Sequence, residues 1–158
     1  MATPTSKSPK RTPRPTGSYA LALRLPSRRK IRVGKSGLVE FPRGHYVYFG
    51  SALGGLNARV ARHLSNDKQL HWHADYLSAE VPWEYAWQLA DGQRWECVWA
   101  CDAMATMGVD VPAPGFGSSD RRCCSHLVRV NTARGVKDLL RGLTPAPRWL
   151  RLQSMKSS

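Results

Sequence analysis

The sequence predicts an α+β domain in which a small mixed, mostly antiparallel sheet is flanked by helices. Short segments of alternating apolar and polar residues, which indicate strands, are separated by turns rich in Gly and Pro. Stretches with helical periodicity occur between these segments. The chain has 158 residues and a hydrophobic fraction of 42%, which is enough for one domain with a core and too little for two.

The first half of the chain predicts strands joined by short turns. SYALALRL alternates as a strand does, and the glycines and prolines that follow it delimit three more strand-like segments. The predicted strands are residues 18–25, 31–33, 38–41 and 45–51. The second and third form an inserted β-hairpin around the turn sequence GKSG. A helix is predicted over residues 55–65, directly after a two-glycine turn.

The second half of the chain predicts helices and strands in alternation. A short helix or ordered loop is predicted first, and the apolar stretch RWECVWACDAMATM predicts a buried helix. The predicted elements are helix 71–78, strand 83–90, helix 94–107, strand 126–131 and helix 132–143. Thr132 is the expected N-cap of the last helix. Residues 108–120 predict a loop because Gly and Pro interrupt them repeatedly.

Charge and composition divide the chain into three parts. Residues 1–16 hold four Lys or Arg and four Pro without an acid, which predicts a disordered basic arm. Residues 17–147 form the predicted domain, and residues 148–158 form a basic tail. The net charge of +13 is not confined to the two ends, so the domain itself is basic. This charge predicts a polyanionic partner, most commonly nucleic acid.

Several classes of protein are disfavoured by the sequence. No apolar run approaches the roughly 20 residues of a membrane span, and the basic N-terminus lacks the apolar stretch of a secretory signal. We therefore expect a soluble, cytoplasmic protein without a membrane partner. In that compartment the four cysteines are expected to be reduced core residues or metal ligands rather than disulfides.

The helix predicted over residues 55–65 carries residues suited to phosphate chemistry. Its apolar stripe consists of Leu56, Val60 and Leu64. Arg59 and His63 are four residues apart and should lie side by side at the margin of this stripe, with Arg62 on the opposite, solvated side. A guanidinium suits phosphate oxygens, and an imidazole can relay a proton near neutral pH. The alternative is an ordinary solvated basic helix.

Tyrosines and one glutamate add to this pattern. Tyr46 and Tyr48 share one face of their strand, and Tyr19 lies on the first strand. Each tyrosine could equally be a packing residue of the sheet. Glu96 begins a helix among tryptophans, where a metal ion could stabilise its carboxylate. The alternative for Glu96 is a helix-capping role that complements the helix dipole.

The order of these tyrosine, arginine and glutamate motifs along the chain resembles that of the GIY-YIG nuclease superfamily. The resemblance rests on GSY (17–19), YFGSA (48–52), the Arg59 and His63 pair, and Glu96. HWHADYL (71–77) and GFGSSD (115–120) are similar to the Uri-type branch of that superfamily, which also shares the inserted hairpin. Ser18 stands where the first motif has Ile, outside the catalytic-type positions. The resemblance spans about residues 17–130.

The resemblance implies a metal-dependent endonuclease that hydrolyses phosphodiesters in DNA. It implies that Glu96 holds a single Mg²⁺ or Mn²⁺, that Arg59 binds the same phosphate, and that Tyr19 orients or deprotonates the attacking water. Tyr48 would bond to the phosphate or to Tyr19, and His63 would share the proton transfer or position the phosphate. Tyr46 is expected to be a packing residue.

Further residues are expected to contact the substrate. Trp72 could stack on an unpaired base, and the loop GFGSSD could offer amides to a phosphate. The predicted substrate-binding residues are Arg62, His71, Trp72, His73 and Ser119. A structural zinc site formed by Cys97, Cys123 and His126 is the less favoured alternative to a reduced cysteine cluster.

The biological setting is left broad by the sequence. The enzyme would select DNA by structure or strandedness and act in repair, recombination or mobile-element processing, with repair or recombination proteins as possible partners. RNA is the alternative substrate. A non-catalytic nucleic-acid-binding module and a structural RNA-binding protein are the competing functions, and only cleavage that requires Glu96 separates these from a nuclease.

Overall fold

The computed structural model describes residues 14–118 and 125–152. Within these ranges the chain forms seven strands and four helices. The strands are β1 (Gly17–Leu25), β2 (Arg29–Arg32), β3 (Leu38–Phe41), β4 (Gly44–Ala52), β5 (Tyr85–Leu89), β6 (Leu127–Val130) and β7 (Arg148–Leu150). The helices are α1 (Leu56–Leu64), α2 (His73–Ser78), α3 (Glu96–Met104) and α4 (Ala133–Arg141). The predicted α+β class is confirmed.

The central sheet has five strands in the order β6-β4-β1-β5-β7, and each of its pairings is antiparallel. The predicted hairpin is present as β2 and β3, which pair separately in a two-stranded sheet. Because β1 lies in the middle of the five-stranded sheet and is covered on both faces, eight of its nine residues are buried. Its side chains therefore contribute to a hydrophobic core on each face of the sheet.

Each face of the sheet packs against a pair of helices. Tyr19, Leu21 and Leu23 of β1 point to one face and pack with apolar residues of α1 and α2. Ala20 and Ala22 point to the other face, where they pack with residues of α3 and α4. The small alanines leave room on that side for the fully buried Trp99 of α3.

The predicted boundaries of the domain require two corrections. Residues 15 and 16 belong to the folded part, because the carbonyl of Pro15 accepts from Leu56 N–H at 2.8 Å and that of Thr16 accepts from Gly92 N–H at 2.9 Å. The predicted C-terminal tail contains β7, which pairs with β5. Backbone hydrogen bonds thus extend the fold at both ends, and residues 1–13 and 153–158 lie outside the described ranges.

Two predicted helices differ in orientation or length from what the sequence indicates. On α1 the buried residues are Leu56, Val60 and His63, and Leu64 is partly buried against the same core. His63 lies deeper than the margin position that the sequence predicts, because its ring bonds to the Tyr19 hydroxyl inside the fold. The helix predicted over 94–107 spans nine residues and buries one side, leaving Val98 43% exposed. Thr132 caps α4 as expected, accepting from Gly135 N–H at 2.9 Å. Among the described helices, none combines the length and apolar character needed to cross a bilayer.

Candidate active site

A cleft of about 440 Å³ opens where β1 and β4 meet the starts of α1 and α3. Seven of the ten predicted site residues line it: Tyr19, Tyr48, Arg59, His71, Trp72, His73 and Glu96. Gly50, Ser51, Gly117 and His126 complete the described lining. The fold therefore brings together residues as far apart in sequence as Tyr19 and His126. His63 and Arg62 lie behind the cleft, and Ser119 lies outside the described residues.

Gly50 makes room for the Tyr19 ring. The two residues are direct partners in the β1–β4 register. A Cβ atom on Gly50 would lie 2.4 Å from both Cζ and the hydroxyl oxygen of Tyr19, which is far inside van der Waals contact. The glycine that ends the YFG motif is therefore required by the phenol that crosses it. Gly117 plays the same part for Tyr48, since a Cβ there would lie 2.9 Å from the Tyr48 ring.

Gly50→Ala tests this close approach. We expect the variant to lose about 1–3 kcal/mol of unfolding free energy, as overpacked buried sites typically do, and to displace Tyr19. Gly54→Ala is the matched control, because a Cβ at that position would meet no atom of the described residues within 4 Å. Urea unfolding of both variants measures the difference. Equal stability of Gly50→Ala and the unchanged protein would contradict the packing described.

His63 forms a buried hydrogen bond with Tyr19. The Tyr19 hydroxyl and His63 Nε2 are 2.8 Å apart, and both side chains are almost inaccessible to solvent. Burial raises the pKa of Tyr19 well above its ordinary value, although the nearby Arg59 opposes this shift. Burial likewise raises the pKa of Tyr48 to about 12. Both phenols are therefore protonated at neutral pH.

The His63 imidazole is neutral over the physiological range. Burial lowers the pKa of His63 to about 3, and Lys68 and the arginines of α1 add to the effect while Asp75 opposes it. Since the neutral ring has one unprotonated nitrogen, it can accept a hydrogen bond, but a pKa this low makes it a weak base. This low pKa disfavours the predicted role of His63 in proton transfer. Its predicted role in binding phosphate is not supported, because the ring does not line the cleft.

Acid should destabilise the fold through His63. Between about pH 6.5 and pH 3 the unfolded chain binds a proton at this residue that the folded protein does not, so the free energy of unfolding should fall as the pH falls, by about 1.4 kcal/mol per pH unit. His63→Gln should lack this part of the slope. Urea unfolding across that range measures both slopes, and His45 and His73, whose pKa values burial also lowers, contribute to both proteins. Identical slopes would contradict the assignment.

A buried carboxylate organises the opposite wall of the cleft. Asp75, at the third position of α2, has no solvent exposure and accepts hydrogen bonds from the backbone N–H groups of His71 and Trp72, each at 2.9 Å. Arg62 donates to both of its oxygens at 3.0 Å. Burial alone would raise the pKa of Asp75, but these donors hold it below the ordinary value. Asp75 thus fixes α1 to the start of α2.

This arrangement corrects two predictions. Arg62 does not point to solvent on the far side of α1, because the buried carboxylate of Asp75 holds its guanidinium. Trp72 is not a free platform for a base, because its ring lies 4.0 Å from the Arg62 guanidinium carbon and 4.4 Å from that of Arg59. Such cation–π contacts restrain both partners. Trp72 therefore holds Arg59 in the cleft.

Glu96 enters the cleft from the first residue of α3 and is 5% exposed. Ser51, near the end of β4, donates a hydrogen bond to its Oε2 atom. Ser51 is in turn 3.0 Å from the hydroxyl of Ser18, and that hydroxyl accepts from the backbone N–H of Trp95 at 2.7 Å. Two serine hydroxyls therefore link β1 and β4 to the start of α3. Ser18, which stands where the first motif of the similar superfamily has Ile, therefore connects β1 to the residue that precedes Glu96.

The remaining wall carries histidines with defined partners. His73 Nδ1 accepts from the backbone N–H of Gly117 at 2.9 Å, so its proton sits on Nε2. His126 Nε2 lies 3.3 Å from the Cys97 sulfur. Cys97 is disulfide-bonded, which corrects the expectation of reduced cysteines, whereas Cys101 is an exposed free thiol. The zinc site would also need Cys123, which lies outside the described residues.

Sequence reasoning missed Asp75 and the two serines. Asp75 lies in the HWHADYL stretch at the third position of α2, where a carboxylate is a signal of a capping box at the start of that same helix. Its pairing with Arg62, which is 13 residues away, depends on how α1 and α2 pack. Ser18 and Ser51 gave no sequence signal, since serine is common in strands that end at a turn.

Residues 18–146 match the model of a protein family that is described as a domain of unknown function, DUF123. The match covers most of the chain, and the protein therefore belongs to this family. No curated protein and no solved structure matches the chain. Because the family's description names no activity, we infer function from the geometry of the cleft.

Proposed function

We propose that this protein is a divalent-metal-dependent endonuclease of the GIY-YIG type that cleaves DNA. One observation carries the proposal: Tyr19, Tyr48, Arg59 and Glu96, contributed by four different elements, all line the same cleft. Phosphodiester hydrolysis needs a group to orient water, a cation beside the phosphate and a carboxylate that can hold a metal ion. Each of these is present within one space of about 440 Å³.

The residues of the cleft fit a metal site in which the protein supplies one ligand and water and substrate supply the others. Glu96 supplies one carboxylate, and the described residues contain no group of three or more acidic, histidine or cysteine side chains that could hold an ion by themselves. Mg²⁺ commonly binds one or two carboxylates and completes its shell with water and substrate phosphate. Mg²⁺ or Mn²⁺ held by Glu96 would neutralise charge on the phosphate oxygens.

The protein residues divide the remaining tasks. Arg59, restrained by Trp72, would bind a non-bridging phosphate oxygen with its guanidinium. The Tyr19 oxygen would accept a hydrogen bond from the attacking water and orient it toward phosphorus. Because burial raises the pKa of Tyr19 and lowers that of His63, the phenol keeps its own proton in the hydrogen bond to His63. The water oxygen then bonds to phosphorus, the ester bond to the leaving oxygen breaks, and solvent takes up the proton of the water and supplies one to the leaving oxygen.

The charge of the protein supports a nucleic-acid substrate. The net charge is +13, and the segment from Arg28 to Lys35 alone contains five basic residues. Binding through phosphate contacts should weaken steeply as the salt concentration rises. We propose that the enzyme selects its target by DNA structure or strandedness and acts in repair, recombination or mobile-element processing.

Cleavage of labelled substrates tests this function. Single-stranded, duplex and branched DNA, with single-stranded RNA in parallel, are incubated with Mg²⁺, with Mn²⁺ or with EDTA. We expect one DNA structure to be cut in the presence of either ion and none in EDTA. Salt-dependent binding to all substrates without cleavage of any would overturn the nuclease and favour a non-catalytic nucleic-acid-binding module.

A further inference from the structure

Nδ1 of His63, beside the cleft, is one of four buried side-chain polar atoms without a hydrogen-bond partner among the described residues. The other ring nitrogen is occupied by Tyr19. A buried polar atom without a partner is costly and rare in folded proteins, so the position of this nitrogen needs a physical reason.

Asp75 provides the acceptor that this nitrogen faces. Its Oδ1 atom lies 3.9 Å from His63 Nδ1. The two carboxylate oxygens are unequally used: Oδ2 accepts three hydrogen bonds, whereas Oδ1 accepts one, from Arg62. An ionised carboxylate oxygen can accept about two. The oxygen with spare capacity is therefore the one nearest to the histidine.

The other charged and titratable groups around His63 do not compete for this nitrogen. Tyr19 of β1 contacts the other ring nitrogen, and the Lys68 ammonium donates to the His63 carbonyl. The surrounding groups are Tyr19 on β1, Tyr48 on β4, Asp75 on α2, Arg59 and Arg62 on α1, and Lys68 in the following loop. Asp75 is the one anion among them.

We propose that Asp75 is a positioning residue that fixes His63 in the tautomer protonated at Nδ1. With the proton on Nδ1, the ring presents N–H to the carboxylate and a lone pair to the Tyr19 hydroxyl. The opposite tautomer would turn the Nδ1 lone pair toward an anionic oxygen in a buried setting. Contacts of this kind are often long in the free enzyme and shorten when substrate binds.

The consequence is a fixed direction for the hydrogen bond between Tyr19 and His63. Tyr19 donates to His63 Nε2, so the lone pairs of the phenol oxygen are left to accept from water in the cleft. Asp75 thereby orients the Tyr19 hydroxyl through a His63 ring that stays neutral. This inference rests on the proposed nuclease function for its purpose, but the tautomer itself is a property of the free protein.

The tautomer can be measured without any catalytic assay. Full-length protein labelled with ¹⁵N-histidine gives two-bond ¹H–¹⁵N correlations that distinguish the two neutral tautomers, and His63→Gln identifies the His63 signals. We expect Nδ1–H in the unchanged protein at neutral pH. In Asp75→Asn, the three N–H donors at the Oδ2 position should orient the amide oxygen toward themselves, which places the NH₂ group opposite His63 Nδ1. The His63 proton should then move to Nε2.

A control separates this effect from a general loosening of α1 and α2. Arg62→Lys weakens the paired hydrogen bonds to Asp75 but keeps the carboxylate, so His63 should stay protonated at Nδ1. The cleavage rate of Asp75→Asn should fall about 100-fold, the size of loss that a misplaced reacting group can cause, because the Tyr19 hydroxyl would then turn its hydrogen rather than a lone pair toward the water. An Nε2–H tautomer in the unchanged protein, or the same tautomer in Asp75→Asn as in the unchanged protein, would overturn the proposal.

The outcomes also separate this inference from the proposed function. If the tautomer changes as expected while no protein cleaves nucleic acid, the positioning role stands and the nuclease falls. If Asp75→Asn does not fold, the tautomers of the unchanged protein and of Arg62→Lys decide the matter by themselves.

Discussion

Tyr19→Phe is expected to lower the rate of DNA cleavage by about 100-fold, since misplacing a reacting group by about 1 Å can cost that much. The substitution removes the oxygen that would orient the attacking water and breaks the hydrogen bond to His63, while the ring keeps its place over Gly50. Single-turnover cleavage at saturating protein measures the rate without interference from product release. Binding of the same DNA should change little.

Tyr46→Phe is the matched control for this variant. Tyr46 has no solvent exposure, lies on the same sheet face, and donates its hydroxyl hydrogen bond to the Pro42 carbonyl rather than to a residue of the cleft. Losing that bond should cost about 1 kcal/mol of stability and leave cleavage unchanged. If the two variants cleaved equally well, Tyr19 would be a packing residue and would not orient the attacking water.

Glu96→Gln is expected to abolish metal-dependent cleavage, with a loss of about 1000-fold, comparable to removing a strong electrostatic stabiliser of a transition state. Glutamine keeps the size of the side chain and can still accept the hydrogen bond of Ser51, so the fold should persist. It removes the negative charge that a hard divalent cation requires. Rates measured against increasing Mg²⁺ or Mn²⁺ give both the maximal rate and the metal dependence.

Glu84→Gln controls for the loss of one negative charge. Glu84 is exposed and does not line the cleft. We expect this variant to cleave as the unchanged protein does. If Glu96→Gln reached full activity only at high metal concentration, Glu96 would affect only the affinity for the metal ion. If the variant were fully active at every metal concentration, Glu96 would be excluded from the metal site.

Much of the fold could be predicted because it depends on local patterns. The alternation in β1 and β4 is continuous, and glycines or prolines mark where neighbouring strands end. β7 could not be predicted, because its three residues follow TPAP and show no alternation. The strand exists because β5 offers an unpaired edge, which is a property of the assembled sheet.

The residues of the candidate site were likewise predicted only in part. Tyr19, Tyr48, Arg59 and Glu96 were found because their motifs are short and occur in a fixed order. The burial of His63 and the direction of Arg62 were predicted wrongly, because hydrophobic periodicity leaves a histidine at the margin of the stripe and treats arginine as solvated. Inside the fold, His63 bonds to the Tyr19 hydroxyl, and the buried carboxylate of Asp75 holds Arg62.

The central claim is that the cleft performs metal-dependent chemistry on nucleic acid rather than only binding it. Its most direct test measures binding and cleavage of the same labelled DNA by the unchanged protein and by Glu96→Gln, with Mg²⁺ present. We predict that the two proteins bind the DNA equally well and that only the unchanged protein cleaves it. Equal binding without cleavage by either protein, on single-stranded, duplex and branched DNA, would contradict the nuclease assignment.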